Sequence, residues 1–265
     1  MNIVKEFSRF ANSYETLSSI QRDVAQELVS LLKEKRYSKI LDIGSGSGSI
    51  YKELLKRDIS FDRFSAFDFS RNMLDLHPLS SKVEKLCLDF NSSSSFKTLS
   101  KYDLVISSSA LQWSLNLDFT LKEISNLSNL FYFAIFTSNT FKTLHKIAGI
   151  KSPIYSKEAI LNILNRYYTF NSYIREYRLH FNSVFDMLRY IKKTGVSGGK
   201  KQLSIKDIKR VVDRYPLNYL EFEVIFIEAK LKRLVWWSIV HKICFLQIID
   251  FISNLFISFA IFSIF

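Results

Sequence analysis

The chain has 265 residues, 48% of them hydrophobic, enough for one domain with a full core and some decoration. Its 37 Lys and Arg against 25 Asp and Glu give a formal charge of +12, but the cations are spread out and form no dense block in the first two hundred residues. A diffuse basic surface of this kind suits an acidic protein partner as well as it suits RNA, though without a dense basic block no nucleic acid is expected. Cys87 and Cys244 are far apart, and His77, His145, His180 and His241 are scattered, so no metal site is expected and a reducing cytoplasm suits the thiols.

Residues Met1–Glu15 carry Lys5, Glu6, Arg9 and Glu15 and are too polar for a secretory signal. Phe7, Phe10 and Tyr14 recur at helical spacing, so this arm can lay an aromatic stripe on the domain or over a pocket. From Gln21 to Lys35, Val24, Leu28 and Leu31 share one helical face. Lys39–Ile50 then reads K-I-L-D-I-G-S-G-S-G-S-I: an apolar strand containing Asp42, followed by Gly44, Ser45, Gly46 and Gly48 in a turn. Such glycines let a ligand approach the backbone, and the next helix offers its N-terminal N–H groups. A dinucleotide fingerprint would need a glycine where Ser49 stands. The D-x-G-x-G-x-G spacing resembles motif I of the class I S-adenosylmethionine-dependent methyltransferases, whose glycine loop lies against the methionine part of the cofactor.

A helix is expected over Ile50–Arg57 and a strand over Arg63–Phe67 ending in Asp68, where a carboxylate can accept hydrogen bonds from two ribose hydroxyls. Phe69 adjoins it, Ser70 and Asn72 can cap a short helix, and Met73 and Leu74 offer apolar surface to an adenine. The third strand, Lys85–Leu88, ends at Asp89-Phe90, an acid and an apolar cover in the positions this fold class commonly gives to the adenine. Ser92–Ser95 reads as a loop. Tyr102–Ile106 is a fourth strand opening into Ser107-Ser108-Ser109-Ala110-Leu111-Gln112-Trp113, small hydroxyl residues that permit close approach of cofactor and substrate. Helices over Asp118–Leu127, Thr137–Ile147, Lys157–Tyr167, Ser183–Lys193 and Ser204–Asp213 alternate with strands over Leu130–Phe136, Tyr173–Phe181 and Glu221–Glu228. The expected fold is α/β: a seven-stranded, mostly parallel sheet with helices on both faces, and helical insertions after the fifth and sixth strands.

F-S-R-F-A-N-S-Y-E (Phe7–Glu15), A-L-Q-W (Ala110–Trp113), F-T-S-N-T-F-K-T-L-H (Phe136–His145), M-L-R-Y-I-K-K-T-G-V-S-G-G (Met187–Gly199) and R-Y-P-L-N-Y (Arg214–Tyr219) together resemble the malonyl-acyl-carrier-protein O-methyltransferases of biotin synthesis, over roughly residues 3–230. The resemblance implies methyl transfer from S-adenosylmethionine to the free carboxylate of a malonyl thioester on an acidic acyl carrier protein. A carboxylate is already ionised at neutral pH and needs no general base. Tyr14, Gln112 and Trp113 are candidates for lining the substrate pocket. The cation that orients the malonyl carboxylate falls, by the resemblance, after the fifth strand, where this chain has Lys151, with Arg189 and Arg214 in matching motifs as alternatives. A class I methyltransferase of RNA or of another small molecule, and a non-catalytic scaffold, are the competing readings.

The methyltransferase domain is expected over 1–230 and a separate hydrophobic tail over 231–265. Residues 243–265 are nearly all apolar, interrupted by Gln247, Asp250 and Asn254, and are long enough to span a bilayer, with Lys230, Lys232 and Arg233 on the domain side. The sequence thus allows a cytoplasmic enzyme attached to the inner face of a membrane, a helix pairing with a partner, or an accidental extension.

Overall fold

Leu41, Ile43, Phe131, Phe133 and Ile135 pack into one hydrophobic cluster and Ile40, Leu104, Ile106, Tyr132 and Ala134 into another. Alternate residues of a strand point to opposite faces, so a sheet clothed on both faces needs strands that are apolar throughout. In the computed structural model, which describes residues 19–194 and 203–232, these strands form one seven-stranded sheet of order β3-β2-β1-β4-β5-β7-β6. They are β1 (Arg36–Ile43), β2 (Ser60–Asp68), β3 (Val83–Cys87), β4 (Leu104–Ser108), β5 (Leu130–Phe136), β6 (Tyr168–His180) and β7 (Tyr219–Leu231). β1 to β5 pair in parallel, and β7 runs antiparallel between β5 and β6.

Helices α1 (Ser19–Ser30), α2 (Ser49–Lys56), α6 (Lys142–Ala148), α8 (Val184–Thr194) and α9 (Ile205–Arg214) contribute to the core of Ile40 and Leu104, with Leu28, Leu54, Leu144, Met187 and Val211 buried in it. Short α3 (Arg71–Leu76) adds Leu74. α4 (Ser93–Lys97), α5 (Leu117–Ser125) and α7 (Lys157–Leu164) supply Phe96, Leu121 and Ile160 to the other. Side-chain caps set several starts: Ser70 accepts from Met73 N–H, Asn116 from Phe119 N–H, Ser156 from Ala159 N–H, and Ser204 forms a capping box with Asp207. Asn72, also expected to cap, lies inside α3.

The first helix, read to Lys35, stops at Ser30, and three further elements differ. Ser92–Ser95 is not wholly a loop, because Phe96 is buried beside Phe67 and Phe119 and draws Ser93–Lys97 into a helical turn. The helix expected from Thr137 begins at Lys142. Thr137 N–H donates to Glu223 O and Phe141 N–H to Glu221 O, so the chain stays beside β7 before it can coil. β6 begins at Tyr168, five residues before the expected start, since fully buried Tyr168 faces Leu231 while the polar Thr169, Asn171 and Ser172 mask the strand pattern. The apolar run 243–265 lies outside the described residues, among which no helix is long and apolar enough to cross a membrane.

β1 sits between β2 and β4, and the connections leave it in opposite directions. A crevice therefore opens beyond the carboxyl ends of β1 and β4, where ligands bind in open α/β sheets. Phe133→Ala, which removes a fully buried ring stacked on Phe131 at 4.5 Å, is expected to cost about 3–5 kcal/mol in urea unfolding. Leu79→Ala, at a side chain 90% exposed, should stay within about 0.5 kcal/mol.

Candidate active site

The turn after β1 is folded by its neighbours. Gly44 and Ser45 N–H both donate to Phe67 O, at 2.8 and 3.1 Å, and Gly46 N–H donates to Asp68 Oδ2 at 2.9 Å. The other oxygen of Asp68 accepts from Ser70 N–H at 2.8 Å. One carboxylate at the end of β2 thus joins the glycine turn to the start of α3. Gly44, Gly46 and Gly48 have φ of 74°, 55° and 85°, the left-handed region open to glycine. At Gly44 space forbids a side chain as well: an added Cβ would lie 2.2 Å from Ala110 Cβ. Ser107 Oγ donates to Ile43 O at 2.7 Å, fastening β4 to β1 behind the turn.

A cleft open to solvent lies against this turn. It is lined by Asp42, Gly44, Ser45 and Gly46 of the first strand and turn, Asp68, Phe69 and Met73 after the second, and Phe90 after the third. Ser108, Ser109, Ala110 and Trp113 close it after β4. Ser109 takes φ 57°, a costly conformation for serine.

Asp42 is fully buried, and neither of its carboxylate oxygens has a hydrogen-bond partner. Burial pushes the Asp42 carboxyl up to about 7, against the opposing pull of the nearby Ser45 hydroxyl, which is close but not aligned for a hydrogen bond, and with the Asp68 charge adding to the rise. Asp68, 8% exposed, is pushed up to about 6 by burial against the opposing pull of the Ser70 and Gly46 N–H groups. Ser45 Oγ, Ser108 Oγ and Ser109 Oγ are also buried without partners. A cleft floored by unpartnered acceptors and hydroxyls, with Phe69, Met73, Phe90 and Trp113 as apolar walls, fits an aminoacyl nucleoside: polar at one end and in its ribose, flat and apolar in its base.

Of the residues expected at the cofactor, Asp42, Gly44, Ser45, Gly46, Asp68, Phe69, Met73 and Phe90 line the cleft. Gly48, Asp89 and Ser107 do not. Gly48 is packed beside His77 and Pro78. Asp89 is exposed, its Oδ1 accepting from Asn91 N–H and Nδ2, and Ser107 is spent on Ile43. Trp113 lines the cleft; Gln112 is buried behind it, donating to Ser109 O at 2.6 Å. Tyr14 lies outside the described residues. Lys151, Arg189 and Arg214 are exposed and line no part of the cleft, and Arg189 pairs with Asp186 at 2.8 Å. Gln21, Ser47 and Ser49 line it without having been expected there. Ser49 could have been read from its place at the end of the glycine turn, whereas Gln21 carries no spacing signal.

The fold and cleft are those expected of a class I S-adenosylmethionine-dependent methyltransferase, and residues 41–129 match the family described as Methyltransferase domain. Two solved structures share the fold: YcgJ of Bacillus subtilis, with a TM-score of 0.56 at 12% identity over 78% of this chain and 96% of that one, and a cyclopropane-fatty-acyl-phospholipid synthase-like protein of Lactobacillus casei, with 0.55 at 13% identity over 86% and 99%. Within the class, the chain's curated relatives are named malonyl-[acyl-carrier protein] O-methyltransferase, in line with the resemblance read from the sequence. That of Bacillus cereus is 26% identical over 220 residues, 74% of this chain and 81% of that protein. That of Chlorobium luteolum is 29% identical over 244 residues, 83% and 89%.

Two tests follow from the geometry. The folded Asp42 carboxyl titrates near 7 and an unfolded one near 3.8, so the folded state holds a proton that the unfolded state releases in between. Stability is therefore lost as pH rises through that window. Thermal melts of the ligand-free protein should show Tm falling less between pH 5 and pH 8 in Asp42→Asn than in the wild type, while the variant binds S-adenosylhomocysteine more weakly. Gly44→Ala should destabilise the fold by about 1–3 kcal/mol in urea titration, through overpacking against Ala110.

Proposed function

We propose that this chain transfers a methyl group from S-adenosylmethionine to the free carboxylate of a malonyl group carried as a thioester on acyl carrier protein, an early step in biotin synthesis. One observation supports a carboxylate acceptor beyond the names of the relatives. Asp42 and Asp68 are the only titratable side chains lining the cleft among the described residues, and both belong to its cofactor floor. An acceptor that must lose a proton, such as an amine or a phenol, would find no other base there. A malonate carboxylate arrives ionised and needs none.

S-adenosylmethionine, when bound, supplies a methyl group on a sulfonium sulfur, and the transfer makes a carboxylate O–CH₃ bond as the S–CH₃ bond breaks. The chain's own share is placement. Asp68 and the glycine turn hold the nucleoside, Met73 and Phe90 cover its base, and Ser108 to Ala110 bring the end of β4 close to the reacting centre. Trp113, with Gln112 behind it, walls the acceptor side and excludes water, and Tyr14 is proposed to close that side from the arm. Positioning of this kind supplies a large part of the barrier reduction when both reactants are already charged for reaction. The carrier partner is acidic and suits a chain of charge +12. A free, exposed Cys87 suits a reducing cytoplasm.

The deciding experiment incubates the full chain with S-adenosylmethionine and either malonyl- or acetyl-carrier protein and reads the acyl mass. One added methyl on malonyl alone is expected. Methylation of neither, by protein that still binds S-adenosylhomocysteine, would remove the malonyl assignment, and methylation of both would move the acceptor off the carboxylate.

A further inference from the structure

Gln21 is the third residue of α1 and lines the same cleft as Asp42 and the glycine turn. Its carboxamide oxygen is buried and has no hydrogen-bond partner, the condition shared by both oxygens of Asp42. The side chain is not there by slack in the helix. Ile20, Val24, Ala25 and Leu28 bury the rest of that face, and farther along the helix Glu27 accepts from Tyr177 Oη at 2.7 Å and from Arg175 Nη2 at 2.8 Å, both on β6. α1 is thus held at its far end, and its first turn presents Gln21 to the cleft at a fixed place.

Gln21 Oε1 and, once Asp42 is ionised, its two carboxylate oxygens are three buried acceptors that call for a ligand group that only donates. Each would otherwise keep the desolvation penalty of a buried acceptor left unpaired. In S-adenosylmethionine the α-ammonium of the methionine arm is such a group, with three N–H donors and a positive charge. The ribose hydroxyls both donate and accept, and Asp68 stands apart as their partner. We propose that Gln21 is a cofactor-positioning residue whose carboxamide oxygen accepts a hydrogen bond from that ammonium, with Asp42 as the counter-charge. Helix α1 then forms a wall of the methionine subsite. The proposal rests on the cofactor reading and is independent of the malonyl acceptor.

Calorimetry of the full chain with S-adenosylhomocysteine and with 5′-methylthioadenosine separates the subsites, because the second ligand keeps the nucleoside and sulfur but lacks the ammonium. Gln21→Leu should weaken S-adenosylhomocysteine about tenfold or more, as loss of a hydrogen bond to a charged group does, and leave 5′-methylthioadenosine within about twofold. Gln21→Glu keeps an acceptor and should bind S-adenosylhomocysteine far better than the leucine variant does. If Gln21→Leu does not fold by circular dichroism, Gln21→Met takes its place with the same expectation. Equal weakening of both ligands, or of neither, would overturn the proposal. Failure of the wild type to bind either ligand would overturn the cofactor reading and this inference with it.

Discussion

Two carboxylates buried side by side at the ends of neighbouring strands are the constraint on which the ligand edge of this fold depends. Asp42 is wholly inaccessible and Asp68 nearly so, and an acid taken out of water must be compensated or neutralised. The chain treats them unequally. Asp68 receives two backbone N–H groups and so ties the glycine turn to the next helix; its burial builds structure. Asp42 receives none; its burial as an ion is an unfavourable feature of the ligand-free fold that protonation or a cationic or donating ligand relieves. Stability given up at a binding site in this way is a common exchange.

The turn above these acids works by closeness. Gly44 lies so near Ala110 that the loops after β1 and β4 touch backbone to side chain, and Ser107 bonds across to Ile43. The two strands at which the connections reverse are therefore fixed to each other at the point where the crevice opens. A flat nucleoside needs rigid walls more than it needs many hydrogen bonds, and here they come from strand ends seated in two apolar cores.

The parallel half of the sheet was legible because its strands are buried on both faces and end in acids or small residues. β5 spans Leu130–Phe136 as read, and Asp42 and Asp68 fall where their strand ends place them. Legibility failed where tertiary contacts override local pattern. Phe96 makes a helical turn of a serine run, Glu221 and Glu223 hold Thr137–Phe141 out of the next helix, and Tyr168 extends a strand through polar residues. At the site, Ser107 bonds to Ile43 while its neighbours Ser108 and Ser109 line the cleft. Where the strand ends at Ser108 and Ser109 turns with positive φ, the turn decides which of these identical residues meets the cleft, and composition cannot show it. Gln21 escaped notice because a single polar residue on an otherwise core-facing helix has no spacing to mark it.

The long strand β6 has a consequence for how this molecule meets copies of itself. Its 13 residues pair with β7 on one side, and among the described residues no strand covers the other. A free edge of that length is a template for strand addition by another chain. Arg175, Glu176 and Arg178 stand along it, and Arg175 is already engaged by Glu27. A second strand approaching that edge would have to strip these charges of water or of partners. The residues that anchor α1 to the sheet therefore also discourage edge-to-edge aggregation, and removing them would expose the protein to it before the fold itself failed.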